Sequence, residues 1–236
     1  MSTLIFDIET IGENFDELDE TSQEVLTRWI KKDSSSEEQY QHSLESVKNG
    51  LGFSPLTGEI VVIGVMDAEK GKGVVYYQAP GEEHEDFEEN NVTFKQKTEA
   101  EMLECFWQGC LKYDCLVSFN GRCFDVPFLM IRSAIKKIRP TKNLLANRYL
   151  NWQRDQVKHV DLMDQLSFYG AVWRKPSLHI ACRAFGIKSP KADGVSGDDV
   201  SGLFKEKRFV DIAKYNVGDL VATKELYECW KDYLNV

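Results

Sequence analysis

The residues in this chain that could do chemistry are mostly acids. Asp7 and Glu9 close an apolar N-terminal run, LIFDIET. Asp125 lies in VSFNGRCFDVPFL, and Tyr215 and Asp219 lie in YNVGD near the C-terminus. Carboxylates rarely collect on apolar elements without basic partners, because burying an uncompensated charge is costly. Divalent metal is the usual compensation, since hard cations such as Mg²⁺ take carboxylate oxygens. Acids arranged around two such ions are suited to cutting phosphodiester bonds.

Each of these residues also has an ordinary explanation, which depends on its element. Residues 3–8 read as a strand, and side chains two apart on a strand point the same way, so Asp7 and Glu9 share a face. A D-x-E pair by itself usually marks a solvated strand end. Asn120-Gly121 marks a turn after a strand at 116–119. Asp125 opens the next helix, 125–135, where a capping role would also suit it. Tyr215 and Asp219 are one turn apart on a final helix, 209–233, and so are neighbours on one face. Asp161 in KHVDLMD ends a strand at 158–162 and reads as an orienting or capping group, not a metal ligand.

The remaining pattern predicts strands at 59–66 and 73–78 and a helix from the capping box Thr98–Glu101 to about 111. Another helix runs from Pro176 to Phe185 and stops at Gly186. HEDFEENN reads as a charged loop, and 189–202 as a Gly- and Ser-rich one. This mixture implies an α/β sheet flanked by helices in one domain, 1–236. Residues 12–59 interrupt the pattern as an acidic insertion with helices expected at 16–32 and 37–48. A sparse stripe, Leu18, Val25, Leu26, Trp29 and Ile30, suits two readings equally: a flap docked over the rim of a cleft, or an insertion packed on the far side.

Net charge is −9, unpromising for nucleic acid until its distribution is read. Residues 1–105 hold 8 Lys and Arg against 24 Asp and Glu; residues 106–236 hold 21 against 14. The basic residues gather at Lys136, Lys137, Arg139, Lys142 and Arg148, then at Arg174, Lys175, Lys188 and Lys191, then at Lys205, Lys207 and Arg208. One face could hold a polyanion, although such clusters are usually solvated surface. The six cysteines show no zinc spacing and read as reduced packing residues. No apolar run is long enough for a membrane span, and strand-like sequence begins too early for a signal peptide, so a cytoplasmic protein is expected.

Taken in order, D-x-E on a first strand, F-N-G-x-x-F-D-x-P after a later strand and Y-x-x-x-D on a last helix resemble the three exonuclease motifs of the DEDD superfamily. The nearest likeness is to the proofreading domain of family-B DNA polymerases and to stand-alone predicted 3′–5′ exonucleases related to it. KPSLHIACRAFGI and VGDLVATKELY also look like that family, whereas 12–59 does not. Tyr215 stands four residues before Asp219, with Lys214 where another subclass carries histidine, so the likeness is to the tyrosine subclass. The resemblance implies a ribonuclease H-like mixed sheet flanked by helices and a 3′–5′ exonuclease acting on single-stranded DNA or RNA 3′ ends. It implies two Mg²⁺ or Mn²⁺ ions about 3.5–4 Å apart. By carry-over, Asp7, Glu9 and Asp219 hold the ion that activates water, Asp7 bridges to the second, and Asp125 supports that one. Tyr215 orients the water, and Thr10, Ile11, Asn120 and Phe124 touch the terminal nucleotide, Phe124 by stacking. A binding module that lost activity and a structure-specific endonuclease are the competing readings on the same fold.

Overall fold

Strand β1 (Thr3–Gly12) lies inside a seven-stranded sheet because its TLIF run is apolar on both faces and buries both. The computed structural model describes residues 2–153, 157–189 and 197–235. β1 pairs antiparallel with β2 (Gly58–Asp67) and parallel with β6 (Cys115–Ser118). β3 (Lys72–Tyr77) runs antiparallel to β2, and β7 (Lys158–Asp161) parallel to β6. With β4 (Phe87–Glu89) and β5 (Val92–Gln96) the order is β4-β5-β3-β2-β1-β6-β7. Helices α1 (Glu20–Thr27), α2 (Ile30–Asp33) and α3 (Glu37–Gly50) fall between β1 and β2. Then come α4 (Glu99–Cys110), α5 (Asp125–Ile135), α6 (Leu162–Leu166), α7 (Leu178–Phe185), α8 (Val200–Lys205) and α9 (Phe209–Tyr233).

Alternation along β1 decides which core each side chain joins. Leu4, Phe6 and Ile8 pack with Met102, Phe106 and Trp107 of α4 and Phe128 and Leu129 of α5. Ile5 belongs to the opposite core, with Ile212, Leu220 and Leu226 of α9. Asp7 and Glu9 follow Ile5 in the strand's two-residue period and so point to the α9 side. The β1–β2 register shifts between Glu9 and Thr10, ending the run of regular alternation just past the acids.

α9 buries Phe209, Ile212, Asn216, Asp219, Leu220, Thr223, Leu226 and Trp230 along one stripe of helical period. Asn216 and Asp219 thus occupy positions where a simple core helix would carry apolar residues.

Helices α5 and α9 begin and end where the sequence pattern places them. Four details differ. The expected charged loop contains edge strand β4, and β5 follows it across Asn90 and Asn91, both in the left-handed region (φ 51° and 63°). Two left-handed residues are what a tight hairpin turn requires, and Phe87 and Phe94 stack across it at 4.5 Å. The expected helix 16–32 is broken: a 3-10 turn at Phe15–Glu17 is capped by Asn14, and the extended residues Leu18 and Asp19 precede α1. The docking stripe is only partly buried. Ile30 is inside, but Val25 and Trp29 are 52% and 48% exposed. Residues 200–205 of the expected loop form α8, anchored by Val200 and Leu203; Lys191 lies outside the described residues. Among the described residues, no helix is long and apolar enough to cross a membrane, and all six cysteines are free thiols.

Candidate active site

β1 and α9 carry acids from opposite ends of the chain into one place. Carboxylate oxygens of Asp7, Glu9 and Asp219 lie within 4.8 Å of one another. Asp125 stands beside them: its Oδ1 accepts from the backbone N–H of Ile8 at 3.2 Å, so the first residue of α5 touches β1 between the two strand acids. Asp125 therefore does not cap α5; Phe124 holds the cap position and makes no side-chain capping bond. Among the described residues no Lys or Arg pairs with Asp7, Glu9 or Asp125. A neutral donor serves the two strand acids instead: Asn216 Nδ2 donates to Asp7 Oδ2 at 2.7 Å and leans toward Glu9 Oε1 at 3.5 Å.

The electrostatics follow from that deficit. Burial, first, and then the Asp125, Asp219 and Glu9 charges push the Asp7 carboxyl well above the usual range. Glu9 is raised by burial and Asp219, against a lowering hydrogen bond from Asn216. Asp125 is pushed up to about 7, mainly by burial. Such a set binds protons or a cation. The residues fit a divalent ion: all-oxygen donors, crowded, with Glu9, Asp125 and Asp219 buried and, among the described residues, no basic side chain paired with Asp7, Glu9 or Asp125.

Tyr215 is held against the cluster by a hydrogen bond with Asp219. Its hydroxyl is pushed far above the ordinary tyrosine range by burial and by the Asp219, Glu9 and Asp7 charges, so it stays protonated. Asp161 does what the sequence suggests. It caps α6 by accepting from Met163 and Asp164, and its second task is to accept from the backbone N–H groups of Asn120 and Arg122 at 2.9 Å. This clamps the turn leading into Asp125. Asn120 is left-handed there (φ 65°) and does not line the cleft; its observed part is that of a turn residue.

A cleft of about 1410 Å³ opens beside the cluster, which reaches it through Glu9 and Tyr215. Glu9, Thr10, Ile11, Phe124 and Tyr215 form its floor. The insertion forms a wall: Asn14 to Leu18 on one part, Glu45, Lys48 and Asn49 of α3 on another, then Gly52 and Phe53. Lys205 and Phe204 of α8 also line it. The wall is fastened at its base. The Thr10 hydroxyl donates to Gly52 O at 2.7 Å, and a Cβ on Gly12 would come within 2.8 Å of Gly52 N. The Thr10 hydroxyl is thus committed to the insertion.

Asn216 is the functional residue that motif reading passes over. Its Oδ1 is buried and lacks a partner, and it lies so close over Gly64 of β2 that any Cβ there would collide with it. The signal was available: position 216 falls on the same helical stripe as 219, facing D-x-E.

Residues 72–232 match the sequence family described as a predicted 3′–5′ exonuclease related to the exonuclease domain of PolB. The chain belongs to this family. The matched span contains Asp125, Tyr215 and Asp219 but starts after Asp7, Glu9 and the insertion. Among solved structures, the family B DNA polymerase from the hyperthermophilic archaeon Pyrobaculum calidifontis is similar, with a TM-score of 0.56 and 17% identity. The likeness covers 98% of this chain and 24% of that one, and at this identity it is a likeness of fold: the ribonuclease H-like sheet flanked by helices of an exonuclease domain. This family member spans about a quarter of the polymerase's length. No match is found among curated proteins.

Proposed function

We propose that the protein is a metal-dependent 3′–5′ exonuclease of the tyrosine subclass, hydrolysing the last phosphodiester of a single-stranded nucleic acid. The observation that carries this reading is the meeting of half-buried Asp7 with buried Glu9 and Asp219 within 4.8 Å, with no basic partner for the two strand acids among the described residues. Asp7, Glu9 and Asp219 would hold one Mg²⁺ or Mn²⁺, with Asp7 and Asp125 supporting a second. Bound there, such ions supply a water of lowered pKa and stabilise the attacking and leaving oxygens of an in-line displacement. The protonated Tyr215 hydroxyl donates; it orients the attacking water and does not take its proton. Thr10, Ile11 and Phe124 receive the terminal nucleotide on the cleft floor, with the Phe124 ring available for stacking.

The insertion wall supports single-strand selection. Glu13, Asp16, Glu17 and Glu45 face the cleft with Lys48, and Lys48 is already paired with Asp16 at 3.1 Å. A second strand would press its phosphates against these acids. Replacing residues 19–49 with a Gly/Ser linker keeps the Gly52 anchor and should raise digestion of duplex ends relative to single strands.

The direct test uses single strands of DNA and RNA labelled at either end, with Mg²⁺ or Mn²⁺. Mononucleotide release from the 3′ label first, stopped by EDTA, is expected. Internal cutting of a circular single strand, or activity that survives chelation, would sink the exonuclease reading.

A further inference from the structure

The β7 edge of the sheet differs from the rest of the surface. Residues 139–188 hold nine Lys or Arg against three Asp or Glu, in a chain whose net charge is −9. The same stretch exposes large aromatics: Trp173 is 92% and Trp152 75% exposed, with Phe168 and Tyr149 also mostly in solvent. Single exposed apolar residues are ordinary, but a group of aromatics beside cations is not.

Two segments build this surface, and they are tied together. Tyr149 and Tyr169 rings meet at 4.7 Å, and the Leu150 N–H donates to the Tyr169 hydroxyl at 3.3 Å. Gln165 Nε2 donates to the same hydroxyl at 3.0 Å. Phe168, Tyr169 and Gly170 are all left-handed (φ 48°, 57° and 101°), a conformation that costs free energy at the two aromatic positions. The turn that results leaves Phe168 outside while Tyr169 serves as the internal tie. Arg148 is spent on Asp164, its Nε donating at 2.9 Å. Arg174 and Lys175, next to Trp173, are exposed and have no ion-pair partner among the described residues.

This edge adjoins the catalytic end of the sheet. β1, β6 and β7 are mutually parallel; Ile5 pairs with Val117 and Val117 with Val160, so β6 and β7 end level with the start of the D-x-E pair on β1. Asp161 ends β7, clamps the turn before Asp125 and starts α6, from which the aromatic turn follows directly.

We infer that the surface around Trp152, Phe168, Trp173, Arg174 and Lys175 is a second binding site for single-stranded nucleic acid, holding the strand upstream of the 3′ end. Bases stack on the aromatic faces and the two free cations meet phosphates, a pairing that reads no sequence because every base offers a face. The inference rests on the nuclease reading for the identity of the polymer. Charge favours this occupant: residues 139–188 are net basic in a chain of net charge −9, and Arg174 and Lys175 are exposed beside Trp173, so a polyanion is attracted here.

The test compares wild type with Trp152→Ala/Trp173→Ala and with Arg174→Glu/Lys175→Glu. Affinity for a long single strand is read by fluorescence anisotropy in EDTA, which stops cleavage. Hydrolysis of a chromophoric phosphodiester of a 5′-mononucleotide, with the chromophore as leaving group in place of the upstream 3′-oxygen and too small to span both sites, reports the catalytic centre in Mg²⁺. The aromatic variant should bind the long strand about 10-fold or more weaker, since stacking is worth 1–3 kcal/mol per base. The charge variant should also bind weaker, with a shallower dependence on salt. Both should hydrolyse the small ester at the wild-type rate. Unchanged long-strand binding in both variants would overturn the second site, and a shift in oligomeric state with binding intact would assign the patch to a second copy instead. A wild type that binds the strand through the patch but hydrolyses no ester would refute the nuclease reading and leave the second site standing.

Discussion

Two groups of carboxylates sit in different parts of the molecule. On the α4–α5 side, Glu99 is 3% exposed, yet its carboxyl lies below the usual range. Arg132 donates to it twice at 2.8 Å, Lys136 approaches to 3.1 Å, and the Ile60 N–H donates at 2.9 Å. Where β1, α9 and the start of α5 meet, Asp7, Glu9 and Asp125 have other acids as neighbours, and their carboxyls lie above the usual range. Glu9 and Asp125 are buried about as deeply as Glu99; the partners differ. The first group is complete as built and fastens α4 to α5 and β2. The second awaits positive charge, which marks it as a site.

Removing one charged member from each group should give opposite results. Asp7→Ala or Asp219→Ala should abolish nucleotide release, while the metal-free melting temperature stays level or rises, because mutual repulsion is relieved. If Asp7→Ala kept the wild-type rate, the site would be misplaced. In contrast, Arg132→Ala leaves Glu99 buried and uncompensated. It should cost about 3–5 kcal/mol in urea unfolding, the usual result of halving a buried pair. A loss near zero would mean that the two groups do not differ as described.

The pH dependence separates them further. The Asp125 carboxyl rises from an ordinary 3.8 to about 7. Between those values the metal-free folded protein holds a proton that the unfolded chain has lost, so this group's contribution falls as pH rises. Glu99, with a lowered carboxyl, has the opposite sign: its stabilisation is present above the ordinary glutamate range and fades as pH falls through the folded value. His159 acts in the same direction as Glu99. It is buried and neutral, donating Nδ1–H to Leu144 O at 3.0 Å and accepting from the Ser118 hydroxyl, and burial pushes it down to about 4. Its contribution is therefore lost as pH drops from about 6.5 toward 4. Asp125→Asn removes only the first effect. The melting temperature of that variant should exceed wild type by more at about pH 8 than at about pH 5, and Mg²⁺ should narrow the gap by stabilising wild type. A gap constant with pH and metal would mean that Asp125 does not titrate with the cluster.

The smallest expected effect is at Tyr215. Tyr215→Phe keeps every carboxylate and loses one hydrogen bond to a charged group, so kcat should fall about 10- to 100-fold. A variant as inactive as Asp7→Ala at every pH would give the hydroxyl a larger part than orientation.

Much of this molecule could be read along the chain. The D-x-E period placed Asp7 and Glu9 on one face, and the stripe of α9 set Tyr215 and Asp219 one turn apart. Helix ends were legible where a local signal exists, as at the Thr98 capping box and the left-handed Gly186. The Asn-Asn hairpin was also local, but Glu-rich neighbours masked strands of only three and five residues.

Other features depend on contacts that no local pattern encodes. Asp7 and Asn216 are 209 positions apart, and only the pairing of β1 inside the sheet with α9 packed across it brings them to 2.7 Å. The same holds for charge. Sequence alone predicts basic clusters, but tertiary placement gives Lys136 to Glu99, Arg148 to Asp164 and Arg208 to Asp211, and leaves Arg174 and Lys175 in solvent. Residue type and period determined which elements form and which faces are acidic. Tertiary structure decided which charges are compensated, because compensation acts over a few ångströms and is set by how distant segments pack.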